Sequence, residues 1–82
     1  MRAFILSGRE YIYKGEAKEV VMPGRDGEFS VLDFHQPFLY RLRRGLIKLR
    51  EKKEHTPEQI FAISDGIASF NENSLLILCE KR

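Results

Sequence analysis

Three acidic side chains lie close together in the chain and could act as acids, bases or cation ligands. Asp26, Glu28 and Asp33 flank a glycine-rich corner, and paired carboxylates can transfer protons or hold a hard cation. They lack the regularly spaced oxygen ligands of a calcium loop, and acidic residues beside glycines are typical of solvated turns. We therefore expect neither catalysis nor metal binding from these carboxylates.

The other reactive residue types form no catalytic motif. His35 and His55 have no cysteine or second carboxylate at metal-ligand spacing, and the only cysteine is Cys79. No serine lies in a nucleophile-elbow motif, and no glycine-rich phosphate loop precedes a helix. A histidine between Phe34 and Pro37 is typical of side-chain packing at a corner. The sequence predicts a protein that is not an enzyme and binds no cofactor.

A basic run between Arg41 and Lys53 offers the clearest chemistry that the residue types indicate. Its cations are Arg41, Arg43, Arg44, Lys48, Arg50, Lys52 and Lys53. On a small β-barrel such a strip, interleaved with Tyr40, could follow the phosphates of a single-stranded nucleic acid. The net charge is only +2, whereas dedicated nucleic-acid binders carry a larger excess. A solvated face that protects edge strands and a protein-docking surface are the other interpretations.

The proline and glycine positions in residues 20–37 predict a β-hairpin that joins two apolar segments. The turn-defining residues of this part of the chain are Pro23, Gly24, Gly27, Pro37 and Gly45. We expect Pro23 at the second position of the hairpin turn, because its ring fixes φ near the required value. Gly24 and Gly27 can adopt positive φ without a Cβ clash. The predicted hairpin holds Asp26 and Glu28 at a fixed corner.

Short apolar segments recur along the whole chain, with turn signals about every eight to twelve residues. They cover residues 3–7, 11–13, 17–22, 29–32, 38–42, 46–50, 60–64, 67–70 and 75–79. Leucines 39, 42, 46 and 49 also fit a helical stripe, but Gly45 inside it would cost about 1 kcal/mol relative to alanine. Strands are favoured, and the sequence predicts one all-β domain over residues 1–82, built as a sandwich or barrel.

Composition places the chain among soluble globular domains. Hydrophobic residues make up 43% of the chain and charged residues 32%, too polar for a membrane span and too apolar for disorder. A single cysteine excludes an internal disulfide and suits a reducing compartment. The first apolar run is too short for a signal peptide, so we expect a cytoplasmic protein.

The order and spacing of these motifs resemble the amino-terminal domain of the epsilon subunit of F-type ATP synthases. The matching residues are Met22-Pro23-Gly24, Gly27-Glu28-Phe29, Leu32, His35, Pro37, Leu42 and Gly45, with residues 13–16, 61–66 and 75–78. The resemblance covers essentially the whole chain. This sequence departs from the family pattern at Asp33, Gln36, Tyr40, Arg44 and Asp65.

The resemblance implies a flattened β-sandwich of about ten short strands and a non-catalytic rotor subunit of the central stalk. In the family this domain binds the gamma subunit, rests on the polar loops of the c-ring and helps couple ion flow to ATP synthesis. By position, Asp26 and Glu28 would face the c-ring, whereas Ser7 and His35 would approach gamma. Nucleic-acid binding through residues 41–53 is the alternative function.

The same resemblance implies a location and raises a question about length. The protein would lie at the cytoplasmic face of the inner or plasma membrane, attached only through the complex. Many epsilon subunits continue into a carboxy-terminal helical hairpin, which this sequence does not show. A naturally short subunit and an excised domain are both compatible with the residues.

Overall fold

The computed structural model describes all 82 residues and contains β-strands but no helix. The strands are β1 (Arg2–Ser7), β2 (Glu10–Gly24), β3 (Gly27–Leu32), β4 (Phe38–Leu42), β5 (Gly45–Glu51), β6 (Gln59–Asn71) and β7 (Ser74–Lys81). The all-β prediction is confirmed, and residues 38–50 form two strands instead of a helix. No helix is available to cross a membrane.

The resemblance implied about ten strands and the residues predicted nine apolar segments, whereas the structure has seven strands. Two pairs of the nine segments are continuous. The 15-residue strand β2 joins residues 11–13 to residues 17–22 and runs through Pro23. The 13-residue strand β6 likewise joins residues 60–64 to residues 67–70. Asp65 and Gly66 were expected to separate two strands, but the pairing with β7 only shifts register between Ile63 and Asp65. Such a bulge bends a strand without ending it.

Five of the strands close into a hydrogen-bonded ring. β1 pairs with β2 and, in parallel, with β7; β2 also pairs with β5, β5 with β6, and β6 with β7. β3 extends the sandwich from β2, and β4 extends it from β6. The strands β3 and β4 do not pair with each other. They form the open side of an otherwise closed β-sandwich.

The core follows the two-residue period of the strands. Along β7, Leu75 and Ile77 are buried, whereas Leu76 and Leu78 point outward, as expected from side chains that alternate between the faces of a sheet. The core cluster contains 17 buried residues, and none of them has a charged side chain. Two polar groups lie at its margin: the Tyr13 hydroxyl donates to Glu51, and the Met1 amino group donates to Asp33. Apolar packing and the backbone hydrogen bonds of the strands hold the rest of the interior together.

Aromatic rings close the open side between β3 and β4. The ring of Phe29 on β3 meets the rings of Phe38 and Tyr40 on β4 edge-on, at centroid distances of 5.7 and 5.0 Å. Phe38 also stacks on Tyr40 at 4.8 Å and on Phe70 at 5.8 Å. Edge-on and offset contacts are the favourable geometries for aromatic pairs. This aromatic seam joins two strands that share no hydrogen bonds.

The β2–β3 hairpin turns at residues 25 and 26, so the predicted turn around Pro23 is wrong. Pro23 and Gly24 belong to β2, and Gly24 pairs with Gly27 across the hairpin. Gly27 has φ of +137°, which glycine tolerates because it has no Cβ. Gly24 has no positive φ, but a Cβ there would lie 2.6 Å from the Gly27 carbonyl oxygen. Gly24 thus permits a close approach of two strands, while Gly27 adopts the positive φ at which β3 begins after the turn.

Candidate docking surfaces

Strand ends and turns meet at one end of the sandwich, which we call the tip and define as residues 24–28, residues 41–45 and Asp65. The Arg25 N–H donates to the Arg41 carbonyl, and the Arg43 N–H donates to the Pro23 carbonyl, each at 2.9 Å. These bonds attach the β2–β3 turn to the end of β4. Gly45 approaches Pro23 so closely that a Cβ would come within 2.7 Å of the proline Cβ. The tip is a tightly packed backbone corner.

Two of the predicted site residues, Asp26 and Glu28, are exposed on the tip. Both line a shallow cavity of about 360 Å³ whose other walls include Phe29, Tyr40 and Arg41. Neither carboxylate forms an ion pair within the molecule. Their charges are therefore available to a partner that approaches the tip.

The third acidic residue, Asp33, lies at the opposite end of β3 and is occupied by other groups. One carboxylate oxygen accepts a hydrogen bond from the Met1 amino group, and the other lies 3.2 Å from Lys52 Nζ. Hydrogen bonds from these two groups hold the pKa of Asp33 below its ordinary value. The three carboxylates that are close in sequence form no common site, and no group of three candidate metal ligands occurs in the structure.

Arginines cluster on the other side of the tip. A second cavity of about 420 Å³ is lined by Arg25, Arg41, Arg43, Arg44, Leu42, Ser64 and Asp65. Arg41 Nε and Nη2 donate to the two carboxylate oxygens of Asp65 at 3.2 and 3.1 Å. This contact and the Gly66 N–H lower the pKa of Asp65. The other three arginines have no acidic partner.

The basic run predicted as one strip is divided in the folded chain. Its first three arginines lie on the tip, whereas Arg50 and Lys52 lie near the far end of β5. Arg50 Nη2 is 2.7 Å from Glu19 Oε1, and Lys52 pairs with Asp33. Together with Arg41, these cations are neutralised by carboxylates of the same molecule. Arg43, Arg44, Lys48 and Lys53 have no acidic partner, so ion pairs neutralise three of the seven cations of the run.

One outer face of the sandwich is apolar although it is exposed. We call it the apolar face; it consists of Phe4, Leu6, Leu39, Ile67, Leu76 and Leu78. Strand register aligns Leu6, Leu78 and Ile67 in one row across β1, β7 and β6. Leu39 is 72% exposed and Leu78 is 50% exposed. Contiguous exposed apolar surface is typical of protein interfaces.

The apolar face was not predicted, although the sequence contains one indication of it. The run Leu75-Leu76-Ile77-Leu78 has no polar alternation. A strand that is apolar at successive positions presents apolar side chains to both sides of its sheet. One side of β7 is covered by the core, and the other side exposes Leu76 and Leu78.

The two residues expected to approach gamma lie at opposite ends of the sheet that carries the apolar face. The Ser7 hydroxyl oxygen, at the tip end, accepts a hydrogen bond from the Lys81 N–H at 3.2 Å. His35 lies in the loop before β4, where its ring meets Phe38 and Phe70 edge-on at 5.3 and 6.1 Å. The structure does not bring Ser7 and His35 together: Ser7 follows Leu6 of the apolar face in β1, whereas the His35 ring packs against the aromatic seam.

Comparison with known proteins assigns a family to this architecture. The family model described as ATP synthase, Delta/Epsilon chain, beta-sandwich domain matches residues 1–82. The chain belongs to this family. A similar protein is the ATP synthase epsilon chain of Rickettsia typhi, 32% identical over 93% of this chain and 69% of the relative. That of Bordetella avium is 36% identical over 93% of this chain and 52% of the relative. The chain spans about half the length of the Bordetella avium protein and of several other curated relatives.

Solved structures show the same fold in ATP synthase chains. A chain from the central stalk and c-ring structure of the Tetrahymena thermophila mitochondrial ATP synthase has a TM-score of 0.80 at 14% identity, covering 98% of this chain and 63% of that chain. A chain of the Euglena gracilis mitochondrial ATP synthase also has a TM-score of 0.80. It is 21% identical, and the match covers 94% of this chain and 48% of that chain. The resemblance to the epsilon amino-terminal domain is confirmed.

Proposed function

We propose that the chain is a non-catalytic rotor subunit in the central stalk of an F-type ATP synthase. It docks the gamma subunit onto the c-ring and helps couple ion translocation to ATP synthesis. The observation that carries this proposal is the apolar face, which spans four strands and leaves leucines exposed to solvent. A face of this kind favours a permanent partner, and membership of the family indicates the complex in which that partner is found.

The gamma subunit is the proposed partner of the apolar face. Burying a whole leucine side chain yields about 1.5–3 kcal/mol, so covering the half-exposed Leu78 yields roughly 1 kcal/mol. Leu39 contributes more per residue because more of it is exposed. Ser7 and His35, at the two ends of this sheet, are proposed as contacts at the margins of the gamma interface.

The polar loops of the c-ring are the proposed partner of Asp26 and Glu28. The packed corner around Gly24 fixes the positions of these two carboxylates, and neither is neutralised within the molecule. Fixed, unpaired charges favour a partner with a complementary pattern. In this arrangement the protein lies at the cytoplasmic face of the inner or plasma membrane and is attached only through the complex. The function requires neither a cofactor nor a nucleic acid.

Reconstitution with the gamma subunit tests the first contact. Leu78→Glu is expected to weaken gamma binding at least about tenfold, because it removes apolar burial and places a charge in the interface. The matched control is Ile60→Glu, since Ile60 is 54% exposed but lies outside the apolar face. Equal affinities of the two variants for gamma would refute the assignment of this face.

Docking to the c-ring tests the second contact. Glu28→Lys is expected to reduce docking of the chain to purified c-rings and to weaken coupling, while the thermal unfolding midpoint stays unchanged. Glu28 is exposed at the edge of β3 and makes no ion pair, so its replacement should cost little stability. Normal docking and coupling in this variant would count against the Glu28 role.

A further inference from the structure

The arginine cavity at the tip carries more positive charge than the molecule neutralises. Its walls hold four guanidinium groups and one carboxylate, that of Asp65. Asp65 is engaged by Arg41 through two hydrogen bonds, which leaves Arg25, Arg43 and Arg44 without an acidic partner. Like charges gathered around one cavity repel each other until an anion enters. The cavity is therefore suited to an anionic group.

The backbone fixes two of these unpaired arginines in relation to each other. Arg25 and Arg43 are held by the 2.9 Å hydrogen bonds that attach the β2–β3 turn to β4. Their placement at the cavity therefore follows from the packed corner and does not depend on side-chain ion pairs. Arginine guanidinium groups bind carboxylates through two parallel hydrogen bonds, as Arg41 binds Asp65 in the same cavity.

We propose that Arg25, Arg43 and Arg44 form an arginine pocket that binds a carboxylate presented by a polar loop of the c-ring. This assignment rests on the proposed function, which places the tip against the c-ring. It adds the chemistry of the contact: the loop carries an acidic side chain opposite the arginine pocket, besides the basic or amide groups that face Glu28.

A loop of mixed charge suits the tip better than an extended anionic surface does. Asp26 and Glu28 line the neighbouring cavity, which shares Arg25 and Arg41 with the arginine cavity. A membrane surface or a nucleic-acid backbone would be attracted by the arginines and repelled by these carboxylates. A protein loop with one basic and one acidic group at a fixed separation complements both.

Association of the full chain with purified, delipidated c-rings tests the pocket. The variant Arg43→Glu/Arg44→Glu is expected to lower the association rate constant about tenfold at low ionic strength, because exposed interfacial charges act through electrostatic steering. The difference should shrink at about 0.5 M salt, where screening is strong. The matched control is Lys18→Glu/Lys53→Glu, which reverses two exposed lysines that line a separate cavity. The control should stay within about twofold of the parent.

The outcomes separate the pocket from the proposed function. If the arginine and lysine double variants associate with c-rings at equal rates, the arginine pocket does not bind the c-ring. If the parent chain still binds c-rings in that case, the proposed function is not affected. A parent chain that binds neither gamma nor the c-ring overturns the proposed function itself. Binding of gamma by the arginine variant shows that it is folded. If that variant loses binding to phosphatidylglycerol vesicles but not to c-rings, a lipid phosphate is the occupant and the carboxylate assignment is wrong.

Discussion

Replacing Gly24 with alanine tests how closely the β2–β3 corner is packed. The added methyl group would lie 2.6 Å from the Gly27 carbonyl oxygen and 2.8 Å from two carbon atoms of the Phe29 ring. The ring has little room to retreat, because Phe38 and Tyr40 pack against it. The carbonyl belongs to the backbone that pairs β2 with β3. Forcing an extra methyl group into such a site costs about 1–3 kcal/mol.

Thermal unfolding followed by circular dichroism measures this cost. For a domain of this size, 1 kcal/mol corresponds to a change of about 4–8 °C in Tm, so Gly24→Ala should unfold at least about 4 °C below the parent. The control is Ser30→Ala, an exposed position in β3 of the same hairpin, which should change stability by less than about 0.5 kcal/mol. If the two variants unfold at the same temperature, the close approach of β2 and β3 does not require glycine and the reasoning fails.

Three further substitutions test other contacts. Burial and the 2.7 Å hydrogen bond to Glu51 raise the pKa of Tyr13 above 10.0, so stability should fall as the pH rises above about 10. Tyr13→Phe should remove that alkaline fall in urea unfolding, and an unchanged pH profile would contradict it. Because the pKa of Asp65 is lowered, its stabilisation is present above the ordinary pKa and lost as the pH falls through the lowered value. Asp65→Asn should flatten the acid limb of the stability profile, and an equally steep limb would show that the Arg41 contact is not stabilising. Phe38→Ala should cost about 2 kcal/mol and speed amide exchange in β3 and β4, whereas slow exchange there would mean that the aromatic seam is dispensable.

Turns could be predicted from the sequence where the residues of the turn itself determine its backbone conformation. The expected turn at residues 71–73 is present, with φ of 51° at Glu72 and 54° at Asn73, the geometry of a two-residue hairpin turn. Asp65 and Gly66 are also turn-forming residue types, but they lie within β6. The neighbouring strands β4 and β7 hold residues 66–70 on both sides, and a single sequence does not show which neighbours a segment will have.

Spatial grouping of the candidate site could not be predicted from closeness in sequence. Glu28 and Asp33 are five positions apart, but an extended strand separates such residues by about 17 Å. The carboxylates therefore lie at different ends of β3. Conversely, Arg25 and Arg43 are distant in sequence and become neighbours only because their two turns meet at the tip. The apolar face likewise depends on the register of strands β1, β6 and β7.

The parallel pairing of β1 with β7 has a mechanical consequence. It closes the ring of five strands, so that each of these strands is bonded along both edges and none can peel away without breaking two ladders. Only β3 and β4 can part without opening the ring, and the aromatic seam opposes that movement. A force applied to the apolar face would therefore be distributed over the backbone hydrogen bonds of the whole ring, and these five strands would respond to it as one rigid unit.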